Sequence, residues 1–86
     1  MKELERQLKA LANKRRLAIL KYLKKSKEAT VGDIAEEIKL SFRSTSKHLA
    51  VLAANDIVER EQRSVQMFYR LAAAPTPAVR HICSLI

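Results

Sequence analysis

Leu4, Leu8 and Leu11 recur at intervals of three and four among Lys2, Glu3, Glu5, Arg6, Gln7 and Lys9, the spacing of one face of an amphipathic helix. Leu17, Leu20 and Leu23, widened by Ile19 and Tyr22, predict a second helix. Asn13 is its N-cap, and Lys24, Lys25 and Lys27 end it, where cations suit the negative pole of the helix dipole. Thr30 with Asp33 three residues on is a variant of the capping box. It opens a short third helix with Val31, Ile34, Ala35 and Ile38 inward and Glu36 and Glu37 in water. Lys39-Leu40-Ser41 interrupts the period. Ser41 then caps a fourth helix through Ser44, with Phe42, Thr45, Leu49, Leu52 and Ala53 inward and Arg43, Ser44, Lys47 and Ala50 outward. Two short helices joined by a tight turn form a helix-turn-helix.

Past Asn55-Asp56, residue types that tolerate left-handed turns, the period becomes extended. Ile57 to Glu61 and Val65 to Leu71 read as two strands of a β-hairpin linked by Gln62-Arg63-Ser64. Pro75-Thr76-Pro77 breaks the chain, with Thr76 an N-cap and Pro77 the first residue of a last helix. On that helix Ala78, Ile82, Leu85 and Ile86 form an apolar stripe. The fold class expected is mainly α with a small β-hairpin, in the order of four helices, hairpin, helix, without repeat or long linker.

Eighty-six residues make one domain, 1–86, near the lower limit for an independent core. The stripes on the terminal helices, about 2–12 and 77–86, therefore predict a homodimer, with Leu4, Leu8, Leu11, Ala78, Ile82, Leu85 and Ile86 forming or extending the interface. Charge sharpens the picture. Lysines and arginines number 17 against 9 acids, a net +8, and such a surplus on a small domain attracts polyanions by counterion release. No run of about 18 apolar residues exists to span a membrane. The start, Met1-Lys2-Glu3-Leu4-Glu5-Arg6, lacks the form of a secretory or transit signal, so a cytoplasmic location is expected. One cysteine, Cys83, and two histidines, His48 and His81, exclude a zinc finger. With no Gly-rich phosphate loop and no nucleophile with an assigned base, an enzyme is not expected.

Ala10 to Leu20, Leu40 to Leu52, Asp56 to Val58 and Phe68 to Leu71 together resemble the ArsR family of transcriptional regulators. Ala10 to Leu20 is similar to the family's opening segment, in which Arg-Leu precedes Ile-Leu at the spacing of Arg16-Leu17 and Ile19-Leu20. Leu40 to Leu52 resembles its recognition helix, with Ser46-Lys47-His48-Leu49 on a Ser-x-His-Leu core. Asp56-Ile57-Val58 stands where the family usually has Gly-Leu-Val, and Phe68-Tyr69-Arg70-Leu71 resembles the return strand of the wing. The resemblance, running from about residue 8 to residue 71, implies a winged helix-turn-helix whose fourth helix enters the major groove.

In that setting Arg43 and Lys47, four apart on one face, are donors for guanine or phosphate, and Ser41, Ser44 and Ser46 supply short hydroxyls. His48 reads equally as a phosphate contact or a partly buried packing residue. In the wing, Arg60, Gln62, Arg63 and Ser64 are candidates for the neighbouring groove. Arg15 and Arg16 oppose the helix dipole, so either phosphate or an acid such as Glu5 or Glu59 must compensate them; for Arg16 the salt bridge is preferred. Where relatives sense metal through a Cys-x-Cys pair, this chain has Thr30 and Gly32, so no metal and no cofactor is expected there. His81 and Cys83, two apart, fall on different helix faces. Cys83 is read as an apolar packing residue, with an intersubunit disulfide or a metal shared with His81 as alternatives.

The function expected is that of a sequence-specific regulator of double-stranded DNA, a homodimeric repressor on a pseudo-palindromic operator. Two alternatives stand beside it. One is a chromatin-like binder with little sequence preference; the other is a winged-helix protein-interaction module that meets an acidic partner. The effector is not written in the sequence.

Overall fold

A computed structural model describes residues 1–86. Helix α1 (Lys2–Leu11) is followed by α2 (Lys14–Ser26), the two-residue strand β1 (Ala29–Thr30), α3 (Val31–Ile38) and α4 (Phe42–Ala54). The hairpin strands β2 (Val58–Arg63) and β3 (Gln66–Leu71) come next, and α5 (Pro77–Ser84) closes the chain. The result is a winged helix-turn-helix, with α3 and α4 as the two helices and β2–β3 as the wing.

Each expected cap forms. Asn13 Oδ1 accepts the Arg15 and Arg16 amides at 2.9 and 3.1 Å. Thr30 Oγ1 accepts the Asp33 amide at 3.2 Å while Asp33 Oδ2 accepts the Thr30 amide at 3.4 Å, a complete capping box. Ser41 Oγ accepts the Ser44 amide at 3.1 Å and Thr76 Oγ1 that of Val79 at 3.4 Å. Such caps contribute about 1 kcal/mol each by satisfying amides that have no partner inside the helix.

Ile19, Leu20, Leu23, Ile34, Leu49, Leu52, Ile57 and Val79 are almost fully excluded from water and form the centre of the core. Helix α4 is thus pinned by Leu49 and Leu52 on one side, leaving its other side free. The sheet has the order β1-β3-β2.

Several expectations are corrected. β1 was not foreseen: Ala29 pairs with Tyr69 and Thr30 with Phe68, so the residue that caps α3 also ties it to the wing. The pattern of two residues carries no period, which hides such a strand. The hairpin strands run to Arg63 and from Gln66, which are paired, leaving Ser64-Val65 as a two-residue turn instead of Gln62-Arg63-Ser64. Ser64 alone of the two has positive φ, 58°, the φ pattern of a type II′ turn, whose twist matches that of the strands. Phe42 lies on the inner stripe by spacing, yet it is 63% exposed; as the first residue of α4 it projects past the edge of the core. On α5 the buried residue is Val79, and Ile82, Cys83 and Ile86 pack against the chain's own core. The stripe 79, 82, 83, 86 is the inward one, so the expected stripe of Ala78, Ile82, Leu85 and Ile86 is only partly available to a partner; Leu85 is 67% exposed. Leu11 likewise belongs to the chain's own core, whereas Leu4 and Leu8 are exposed.

Candidate nucleic-acid interface

Helix α4 contains no acidic residue. Arg43 and Lys47 are exposed on its outer side, Ser44, Ser46 and His48 are half-buried, and Ser41 is exposed at the N-cap. Neither Arg43 nor Lys47 has a carboxylate within ion-pair distance; the pairs join Glu5 to Lys9, Glu28 and Glu61 to Arg63, and Glu59 and Glu61 to Arg70. Four of the molecule's acids are thus neutralised away from α4, which leaves its cations to an external anion.

Behind this helix, Arg16 does not take an acid. Its Nε donates to the Ala10 carbonyl, its Nη2 to that of Lys9 at 3.4 Å, and its Nη1 lies 3.2 Å from His48 Nδ1. The expected partners are engaged elsewhere, Glu5 with Lys9 and Glu59 with Arg70. Arg16 therefore closes the C-terminus of α1, where the unsatisfied carbonyls welcome a cation. Burial, followed by the nearby Arg16 and Arg15 charges, lowers the His48 pKa below its ordinary 6.5, so the imidazole is neutral at pH 7. A guanidinium only donates, so Nδ1 is the acceptor and the proton sits on Nε2.

The wing divides its basic residues. Arg63 Nη1 is 2.8 Å from Glu28 Oε2 and its Nη2 3.2 Å from Glu61 Oε1, with the guanidinium 4.6 Å above the Phe68 ring centre. Arg70 approaches Glu61 at 2.9 Å and Glu59 at 3.4 Å. Hydrogen bonds from Arg63 and Arg70 hold the Glu61 carboxyl below the usual carboxylate range. Arg63, expected to reach outward, is thus held along the sheet, while Arg60 is exposed and has no such partner. Gln62 Nε2 donates to the Ser64 carbonyl at 3.4 Å, which steadies the turn.

Sequence reasoning missed Gln7, which is 3% exposed. Its Nε2 donates to the Asn55 carbonyl at 3.1 Å and its Oε1 accepts the Thr76 hydroxyl at 2.8 Å. One side chain of α1 thereby joins the end of α4 to the start of α5. The signal was present: position 7 shares one helix face with 10 and 11, the buried residues of α1. Cys83 is half-buried, and burial pushes its thiol pKa up despite Lys24 nearby, whose Nζ donates to the Cys83 carbonyl at 3.0 Å. No three or more His, Cys, Asp or Glu side chains are gathered as a metal ion needs.

A helix-turn-helix with an acid-free outer helix, flanked by a β wing, defines the class of winged-helix DNA-binding domains. The family model described as "Bacterial regulatory protein, arsR family" matches residues 13–60, and the chain belongs to the ArsR family. It is 36% identical over 72 residues to the transcriptional activator HlyU of Vibrio cholerae, covering 84% of this chain and 66% of that relative's length. A homodimeric winged helix-turn-helix DNA-binding domain from Mycobacterium bovis superposes with a TM-score of 0.84 at 31% identity, over 98% of this chain and 74% of that one. The transcriptional repressor PagR of Bacillus anthracis does so with 0.81 at 26% identity, over 98% and 92%. The chain is accordingly a DNA-binding transcriptional regulator and not an enzyme. No helix is long and apolar enough to cross a membrane.

Proposed function

We propose that the chain acts as a homodimeric repressor on a pseudo-palindromic operator, presenting two α4 helices to successive major grooves about 34 Å apart. The observation that carries this reading is the pair Arg43 and Lys47, exposed on an acid-free helix with no ion-pair partner. In it, Ser41, Ser44, Ser46 and His48 Nε2–H supply further donors to bases and phosphates, and Arg60, Gln62 and Ser64 approach the flanking groove while Arg63 braces the wing. Residues 1–86 act as one domain.

Dimerisation draws support from the exposed Leu4 and Leu8 on α1 and Leu85 beyond α5, and from the homodimeric M. bovis domain. Ala78, Ile82 and Ile86, each half-buried in one chain, extend that face. Repression is the reading preferred because a dimer seated across a promoter blocks polymerase without any further contact; PagR is described as a repressor and HlyU as an activator. The site of action is the cytoplasm, where the chromosome is.

Fluorescence anisotropy against random duplex and the protein's own upstream region, at several salt concentrations, tests the reading. Wild type binds the upstream fragment more tightly, with log K falling by about 0.9 per phosphate contact for each decade of salt; Arg43→Ala/Lys47→Ala loses tenfold or more, roughly the worth of one good charged contact. Equal affinity for both duplexes favours the low-specificity binder. Absence of binding at low salt refutes the DNA reading and leaves the protein-docking module.

A further inference from the structure

Phe42 is 63% exposed, although its spacing with Thr45, Leu49 and Leu52 assigns it to the inner stripe. It is the first residue of α4, next to Arg43 and one turn before Ser46. The ring lines a shallow apolar groove with Val31 at the start of α3 and Val65 and Met67 of the wing; Val65, at the wing tip, is 92% exposed. An aromatic side chain left in water forgoes the burial that normally holds it, and this one is the chain neighbour of the unpaired Arg43.

Charge decides what covers it. A second copy of this face would bring Arg43 and Lys47 against their own kind with no acid on α4 to separate them, and like charges so placed are costly. A polyanion meets no such penalty. On duplex DNA the major groove offers one apolar group, the 5-methyl of thymine, and phenylalanine is among the side chains that contact it. Residues at the N-terminal end of a recognition helix are those that reach base edges.

We propose that Phe42 is a specificity-determining residue that reads a thymine 5-methyl in each half-site, adding an apolar contact to the polar ones of Arg43 and Lys47. This rests on the DNA-binding reading above. The polar residues of α4 set charge and hydrogen bonding, and Phe42 discriminates thymine from every base that lacks a methyl group.

The test uses a duplex that the full chain selects from a random pool. Each thymine of one half-site is replaced in turn by deoxyuridine, which removes the methyl and keeps every hydrogen-bonding group. Wild type binds about three- to tenfold more weakly when the contacted position is replaced; Phe42→Ala binds both duplexes equally, and Phe42→Leu keeps part of the difference. An unchanged far-ultraviolet circular dichroism spectrum and melt show that Phe42→Ala is folded, as its exposure leads one to expect. If no position is sensitive in wild type, or if the sensitivity persists in Phe42→Ala, Phe42 does not read a methyl while the protein remains a DNA binder. If no duplex is selected at all, the DNA reading falls and this inference falls with it.

Discussion

Arg16 Nη1 lies 3.2 Å from His48 Nδ1, and the same guanidinium donates to the Ala10 carbonyl at the end of α1. One side chain at the start of α2 thus sets the tautomer of an imidazole on α4 and ties that helix to α1.

The pair predicts a pH dependence. His48 is lowered below 6.5 in the folded chain by burial and by Arg16 and Arg15, while in the unfolded chain it takes its ordinary value of about 6.5. Between those values the unfolded state binds a proton that the folded state refuses, so stability falls as pH drops through this window and levels off below it. Urea unfolding of wild type at pH 7.5 and 5.5 shows that loss, and His48→Gln shows less of it. Nitrogen-15 shifts at neutral pH report the Nε2-protonated tautomer.

Within the wing, Arg60 and Arg63 separate by role. Arg63 is engaged by Glu28 and Glu61 over Phe68, whereas Arg60 is exposed without a partner. Arg60→Ala reduces the salt slope of DNA binding by about 1, the signature of one lost phosphate contact. Arg63→Ala leaves the slope within error; its effect appears instead as broadened or shifted amide resonances in β2 and β3. A larger slope change for Arg63→Ala than for Arg60→Ala overturns this assignment.

Buried and exposed positions of α1 likewise diverge. Gln7→Met keeps the volume but strands the Asn55 carbonyl and the Thr76 hydroxyl, and costs about 1–3 kcal/mol in chemical unfolding. Leu4→Ser/Leu8→Ser alters exposed residues and leaves helicity intact, yet halves the mass measured by light scattering at micromolar concentration. A dimer that survives the double substitution moves the interface away from α1.

Glycine stands where the backbone has no need of it. Lys27, Lys39, Asp56 and Ser64 all have positive φ, while Gly32, the only glycine, sits in α3 without that requirement. Lys39, at φ 56° and ψ 50°, pays roughly 1 kcal/mol for the left-handed conformation, so Lys39→Gly stabilises by up to that amount. Gly32→Ala places its Cβ 3.9 Å from Thr30 Oγ1, an ordinary contact, and stabilises by up to about 1 kcal/mol through helix propensity. Thermal melts check both; a lowered Tm for either contradicts the account.

The elements were legible because their signals are local. Asn13, Thr30, Ser41 and Thr76 announced helix starts by their own side chains, Asn55-Asp56 marked the turn after α4 as residue types that tolerate the left-handed conformation Asp56 adopts, and the inward Leu20, Leu23, Leu49 and Leu52 followed helical periodicity. Arg43 and Lys47, four apart on the outer face, pointed to the same helix as the candidate interface. Those readings needed only distances of a few residues along the chain.

What the sequence could not decide depends on which elements meet. The inward choice of Val79 over Ala78, the exposure of Phe42 at the rim of the core, the two-residue strand Ala29–Thr30 against β3, and the pairing of Arg63 with Glu28 all join residues far apart in the chain. A periodic stripe states that a helix has an apolar face; it does not state how far the core extends beneath it or which residue lies past its edge. Likewise a count of 17 basic and 9 acidic residues states the surplus, and only the folded chain assigns the acids to Lys9, Arg63 and Arg70 and leaves Arg43 and Lys47 unpaired. Local preferences fix the elements because they act within a turn of helix or strand, while burial and ion pairing act through space and exist only once the elements have packed.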